Sequence, residues 1–395
     1  MTQREIQLCH AVRTPIGAFN GALRSVPASA LGAVAVRAVL QRSGADPDAI
    51  GGVVMGHVVQ AGCRMNPARQ AALDGGLPVS VPAMTVNRVC GSGAQAIITA
   101  AQQIASGEID CAIAGGFENM DRAPYLLDNG RWGYRMGVAE IHDAMLHDGL
   151  EDAFSGRHSG WHAEDLVTLL QLTREAQDRF AERSQRRFCA AREAGRFEQE
   201  IAPVEIKGKN GVERFSRDEA PRPETTFEAL SCLRPAFRDG GTITAGNAPG
   251  LNSGAAAMIV AAAAFVKRHG IEPFARLAGY GLAAVEPGMF GLAPVPAIRT
   301  AIARAGWTLG DVQRFEINEA FAAVALAIVQ ELGIAEDVVN VEGGAIAHGH
   351  PIGATGAILA TRLMHSMRRD RLRRGVVALC ISRGGMGIAL ALEAN

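Results

Sequence analysis

The chain is poor in aromatic residues, which make up 5% of its 395 positions, while glycine occurs 46 times. A core built this way rests on small aliphatic side chains, with many positions where backbones bend or approach one another closely. Excess charge is also absent. The formal net charge of −1 gives no electrostatic reason to expect nucleic acid or an anionic membrane as partner. The seven cysteines form no C-x-x-C pair and are odd in number, which argues against a disulfide framework or a zinc ribbon. No apolar run reaches membrane-spanning length. The longest, around Ala255–Val266, ends at Lys267 and Arg268. The N-terminus lacks the basic-then-apolar layout of a secretory leader, so the cytoplasm is the expected location.

What is present is a strand–helix alternation long enough for two or three domains. Leu31, Val34, Ala35, Ala38 and Val39 share one helical face that Gly44 terminates. Val53–Val59 and Ala83–Val86 read as strands. Between them Asn66 and Pro67 open a helix that Gly75–Gly76 closes. A helix over about 91–105 and a buried strand at Cys111–Ala114 follow. From about residue 121 to 244 the texture changes: charge rises, one long amphipathic helix is expected over Glu164–Ala194, and Pro221–Arg222–Pro223 interrupts the chain. The α/β rhythm resumes near Glu272–Pro273. Both flanks contain a strand, a Gly-rich turn with a reactive residue, and an Ala-rich helix. Each also holds a strand running into Gly-Gly, at Gly115–Gly116 and at Gly384–Gly385. Two such halves imply an internal duplication with a site between them.

Cys90, between a strand and a helix start and followed by Gly91-Ser92-Gly93, is the candidate nucleophile. The positive end of a helix favours thiolate there. Cys9, Cys63, Cys111, Cys189 and Cys232 read as small buried hydrophobes. His350, in Gly349-His350-Pro351, is either a hydrogen-bonded structural residue or an acid–base catalyst. His348 beside it raises a His-x-His metal site, as the pair His158 and His162 does. The first has no completing Cys, Asp or Glu cluster, the second has Gly160 between its histidines and no H-E-x-x-H signature, and no metal is expected. Cys380 ends an apolar strand and is a candidate acid–base group. Asn318, after another strand, reads on local sequence as a helix N-cap.

Taken together these blocks resemble the thiolases almost end to end. Ala11-Val-Arg-Thr-Pro15, Asn66-Pro-Ala-Arg-Gln70, Asn87-Arg-Val-Cys90-Gly-Ser-Gly93, Leu233-Arg-Pro-Ala-Phe237, Thr244-Ala-Gly-Asn247, Asn318-Glu-Ala-Phe321 and Gly349-His-Pro-Ile-Gly353 follow in that family's order. The resemblance implies an α/β thiolase fold, two similar βαβαβαββ halves in five αβαβα layers. The N-terminal half would span 1–120 and 245–271, a coenzyme A-binding loop domain 121–244, and the C-terminal half 272–395.

It also implies ping-pong acyl transfer between coenzyme A thioesters. Cys90 carries the acyl group, and His350 accepts its proton. His350 and a water held by Asn318 form one oxyanion site, and Cys380 serves the α-carbon. A second oxyanion site is implied at the N–H of Cys90 and an N–H after Cys380. The matching coenzyme A contacts are His158, Arg222, Leu230, Ala236, Phe237, Ala245, Gly246 and Leu251, with Ala320 and Phe321 near the thioester. For Arg222 an ordinary solvated surface charge is the competing reading. No cofactor is implied beyond acyl-CoA and coenzyme A as substrates, and the implied assembly is a homodimer or homotetramer. An acyl-CoA or lipid binding protein without turnover is the alternative. The chain departs from the pattern at the turn 381–387, which has an extra residue and Arg383. It departs also at Pro249, Ser159 and Glu342, and at Phe117 and Phe290, which fall at expected pocket positions.

Overall fold

A computed structural model describes residues 4–208, 211–382 and 384–395. In the first half, strand β1 (Ile6–Arg13) leads to helix α1 (Ala28–Ser43), strand β2 (Gly52–Gly56) and helix α2 (Pro67–Asp74). Strand β3 (Ala83–Val86), helix α3 (Ser92–Ser106) and strand β4 (Cys111–Asn119) follow. The local reasons are those the residues suggest. Gly44 closes α1 at φ +63, and the Asn66 side chain accepts from Arg69 N at 3.2 Å to cap α2.

The chain then leaves the sheet. The expected single helix over Glu164–Ala194 is instead two: α4 (Ser159–Leu170) and α5 (Arg174–Glu193). Gln171 adopts φ +54 and ends the first, and Thr173 caps the second by accepting from Ala176 N. A periodic apolar face continues across such a break, so periodicity alone does not reveal it. A hairpin of Val204–Gly208 and Gly211–Phe215 and a short helix Phe227–Ser231 complete this region. It is tied to β1 by the wholly buried Arg13, which pairs with Glu200 and Asp218, each at 2.7 Å.

Strand β5 (Asn252–Ala262) closes the first half, and β6 (Pro273–Ala284) opens the second. Helix α6 (Pro294–Arg304), β7 (Arg314–Ile317), helix α7 (Ala322–Leu332), helix α8 (Thr355–Asp370), β8 (Arg374–Ile381) and β9 (Met386–Glu393) follow. The strands run in the order β7-β8-β9-β6-β1-β5-β4-β2-β3. The halves share one internal plan. β1 is antiparallel to β5, β5 to β4, and β4 and β3 are both parallel to β2. Likewise β6 is antiparallel to β9, β9 to β8, and β8 is parallel to β7. Where the first half has β3, the second retains only a parallel bridge between Phe315 and Val339. The strand expected before the Gly-rich turn that carries His350 is therefore reduced to the single residue Val339.

Helices α3 and α8 pack against each other between the strands of the two halves, while α1 and α2 cover one outer face and α6 and α7 the other. The crossing of α3 and α8 is made by a matched glycine pair. A Cβ on Gly93 would stand 2.7 Å from Ala357 N, and one on Gly356 only 2.4 Å from Ala94 N. Side chains of β8 alternate as the pleat requires: Val377, Leu379 and Ile381 join the central core, and Val376, Ala378 and Cys380 the core under α6 and α7. Each buried aliphatic side chain contributes about 1.5–3 kcal/mol.

Candidate active site

Cys90 sits on the turn from β3 into α3, and that turn is strained. Val89, a β-branched residue, holds φ +47, a conformation costing about 1–3 kcal/mol. Three hydrogen bonds keep it there. Asn87 Oδ1 accepts from Val89 N at 2.9 Å, Ser92 Oγ accepts from Arg88 N at 2.8 Å, and the same hydroxyl donates to Val89 O at 2.7 Å.

His350 arrives from the second half on a turn that only glycine at 349 permits. Gly349 has φ +103, and a Cβ there would lie 2.4 Å from the Asn252 side chain. Asn252 Oδ1 accepts from His350 N at 2.9 Å, and Asn252 Nδ2 donates to Gly17 O at 3.1 Å, so β5 fixes the turn. The imidazole has two neighbours: Thr355 Oγ1, 2.7 Å from Nδ1, and Asn318 Nδ2, 3.3 Å from Nε2.

Asn318 is not the helix cap its local sequence suggests, because α7 begins four residues later at Ala322 with Phe321 at the cap. Its backbone N–H donates to Ala378 O at 2.9 Å, and its side chain turns to the imidazole with Oδ1 left without a protein partner. The next residue, Glu319, is buried. It accepts from Ser184 Oγ at 2.7 Å, Asn340 Nδ2 at 2.9 Å and Ile346 N at 3.0 Å, locking α5, β7 and the His350 loop together.

Cys90, His350 and Cys380 line one cavity of about 270 Å³. All three are nearly solvent-free, and burial sets their protonation. Burial pushes the Cys90 thiol up to about 11, against the expectation of a thiolate. Hydrogen bonds from the Ser382 hydroxyl and backbone N–H pull the other way without prevailing. Burial raises Cys380 well above its usual range, and the nearby Cys90 raises it further. The His350 imidazole is lowered by burial to about 4. Burial thus favours a neutral thiol and a neutral imidazole in this cavity over an ion pair.

The same cavity is lined by His158, Ala236, Phe237, Ala245, Leu251, Ala320 and Phe321. His158 caps α4, accepting from Gly160 N at 3.0 Å through Nδ1, and stacks on Phe237 at 4.6 Å. Phe237 in turn meets Phe321 edge-on at 5.7 Å. A neighbouring cavity of about 350 Å³ is lined by Arg222, Leu230 and Gly246 and shares Ala245 and Leu251 with the first. Ser159, Pro249 and Phe290 also face the first cavity.

Phe117 does not lie at the pocket. It is wholly buried in the central core, with its ring edge where a Cβ on Gly32 would fall and 4.9 Å from the His57 ring. Glu342 is buried, pairing with Arg196 at 3.1 Å and with Arg369. Arg383 lies outside the described residues.

The two His pairs weighed as metal ligands do different things. His348 packs against Phe188, whereas His350 faces Thr355 and Asn318. His162 meets Ser155 Oγ at 2.7 Å, while His158 caps its helix. Among the described residues no group of three or more His, Cys, Asp or Glu is placed to hold a metal ion. Cys9, Cys111 and Cys189 are buried as expected, but Cys63 is half-buried and Cys232 exposed, because both sit on loops outside the sheet layers. Two residues at the site, Ser382 and Thr355, escape a reading by motif. A Ser in a Gly-rich turn and a Thr in a helix's first turn are common for structural reasons.

The Thiolase, N-terminal domain family matches residues 6–264, and the Thiolase, C-terminal domain family matches 271–394. An acetyl-CoA acetyltransferase of Cupriavidus necator is 47% identical over 390 residues, covering 98% of this chain and 99% of that protein. The cytosolic acetyl-CoA acetyltransferase of Mus musculus is 46% identical, with 98% of each covered. Among solved structures, a Bacillus anthracis acetyl-CoA acetyltransferase superposes with a TM-score of 0.97 at 41% identity, covering 100% of this chain and 99% of that one. A human mitochondrial 3-ketoacyl-CoA thiolase gives 0.96 at 38% identity over the full length of both.

Proposed function

Because the chain belongs to the thiolase family and is an acyltransferase, we propose that it exchanges acyl groups of short or medium 3-ketoacyl-CoA thioesters through an acyl-Cys90 intermediate. One observation carries this reading: two thiols and an imidazole, from positions 90, 380 and 350, line a single cavity. In the proposed cycle Cys90 attacks the thioester carbonyl as His350 takes the thiol proton. Both groups rest neutral, so proton transfer accompanies the attack rather than preceding it. Cys380 then removes the α-proton of the second acyl-CoA in condensation, or returns a proton to the enolate in cleavage. The Asn318 amide and the backbone N–H groups of Cys90 and Ser382 are assigned to the two oxyanions. Coenzyme A occupies the second cavity along Leu230, Ala245, Gly246 and Leu251, with Arg222 at its outer end, and no redox cofactor or metal takes part.

Intact mass measurement after mixing with acetyl-CoA tests the reading. An acetyl adduct that disappears in Cys90→Ala is expected. Tight coenzyme A binding with no adduct would leave only the non-catalytic binding protein. Assays across acyl lengths test the pocket, and uniform preference for long chains would remove the short-chain assignment.

A homo-oligomer is assigned on the strand edge at β3, which pairs only with β2 among the described strands and leaves Met84 40% exposed. A monomer by light scattering would refute it. The cytoplasm is the assigned location, supported by the cytosolic relative in mouse; no described helix is long and apolar enough to cross a membrane.

A further inference from the structure

We propose that Thr355 is a positioning residue for His350, holding the imidazole in the tautomer whose lone pair, the acceptor for the Cys90 proton, is on Nε2. The proposal rests on the acyl-enzyme reading above.

The assignment follows from where one hydrogen goes. Thr355 Oγ1 lies 2.8 Å from Pro351 O, a carbonyl that only accepts, so the hydroxyl hydrogen is directed there. The same oxygen lies 2.7 Å from His350 Nδ1. With its hydrogen committed, Oγ1 acts toward the ring as an acceptor, and Nδ1 carries the N–H. A neutral imidazole protonated at Nδ1 has its lone pair on Nε2.

The orientation of the Asn318 amide is consistent with this tautomer. Its Nδ2, which only donates, is the atom 3.3 Å from Nε2, as a lone pair at that position requires. Thr355 is wholly buried and His350 is 7% exposed, so no bulk solvent replaces the hydroxyl if it is removed.

Ser92 occupies the corresponding place in the first half, one residue before the crossing glycine as Thr355 is. Its hydroxyl donates back to Val89 O just as Thr355 donates to Pro351 O. In the first half the remaining acceptor lone pair takes a backbone N–H, from Arg88. In the second it takes the imidazole.

The proton transfer it serves balances. The Cys90 S–H bond breaks, its proton bonds to Nε2, and the sulfur pair forms the bond to the thioester carbon as the carbonyl pair moves to oxygen. When the intermediate collapses, coenzyme A leaves as thiolate and takes the proton from Nε2. A ring held in the other tautomer has its lone pair at Nδ1, against Thr355, and none at Nε2.

Single-turnover acetylation of Cys90 by acetyl-CoA, read by intact mass, tests this in the full chain. Thr355→Val is expected to slow acetylation about 10- to 100-fold with coenzyme A affinity unchanged, and Thr355→Ser to restore it to within about threefold. A purely structural role predicts a lower melting temperature with no change in the acetylation rate of the folded fraction, and that result overturns the proposal. Should Thr355→Val not fold, ¹⁵N resonances of histidine-labelled unmodified protein decide. They are expected to report an Nδ1–H ring at His350, and an Nε2–H ring overturns the assignment while Cys90 acetylation still stands. Absence of acetylation in the unmodified protein refutes the acyl-enzyme reading itself, and this proposal with it.

Discussion

The two halves of the molecule share strand order, strand direction and a helix pair that crosses through matched glycines, yet they contribute opposite chemistry. The first half delivers a thiol on a strained turn, with Val89 at φ +47 beside it. The second delivers the imidazole, the Asn318 amide and the second thiol. They also differ at their outer edges. β3 is a complete strand that pairs, among the described strands, only with β2, whereas its counterpart at Val339 is a single bridge overlaid by α5, whose Arg187 donates to Val339 O at 2.8 Å. One architectural unit, used twice, has thus been specialised on one side for a nucleophile and an open edge. On the other side it serves the groups assigned acid–base roles in the proposed cycle, and a covered edge.

Exchanging chemistry between the halves tests that division most severely. Cys90→Ala is expected to abolish acyl transfer, a loss of at least about 10³-fold. Cys380→Ala should still form the acyl-enzyme and fail at condensation. Full condensation by Cys380→Ala would show that both thiols do not have the separate roles assigned.

His350 and Cys90 should also act at opposite limits of pH stability. His350 is buried neutral with its pKa lowered from 6.5 to about 4, so the unfolded chain binds its proton first on acidification. Its stabilising contribution is complete above pH 6.5 and is lost as pH falls toward 4. Cys90 is buried as a thiol, raised from 9.0 to about 11, so the unfolded chain loses its proton first. Its contribution is complete below pH 9 and is lost as pH rises toward 11. Each is on the order of 3 kcal/mol. Denaturant unfolding across pH should therefore show the acid limb flattened in His350→Asn and the alkaline limb in Cys90→Ala. Unchanged limbs would mean that neither group titrates as described.

At the crossing of the halves, Gly356→Ala and Gly93→Ala each push a methyl group against backbone and are expected to cost about 1–3 kcal/mol. The larger loss should come from Gly356, whose clash is closer, and chemical denaturation measures both. The smallest effect is expected at Ser382, two residues after Cys380. Ser382→Ala removes one donor to the Cys90 sulfur and should slow acylation about 3- to 10-fold, with coenzyme A binding unaltered. A rate equal to that of the unmodified protein would show the hydroxyl to be dispensable.

Much of this is legible in the chain alone because it is local. Gly44 and the Asn66–Pro67 start give their helix ends, Ala83–Val86 is a strand by its own composition, and the motifs around Cys90, Asn318 and His350 carry the family resemblance. Other features are not local. The break at Gln171 interrupts a helix whose apolar face continues, Phe117 turns into the core rather than the pocket, and Cys63 and Cys232 lie outside the layers that bury the other structural cysteines.

Sequence by itself determined the family, the doubled α/β plan and the candidate reactive side chains, since each is encoded in short contiguous segments with their own turn and cap chemistry. Only tertiary structure decided how those side chains are protonated and which hydroxyls hold them. Desolvation and hydrogen-bond partnership depend on what other segments place around a group, and Thr355, Ser382 and Asn318 acquire their partners only when the chain is folded.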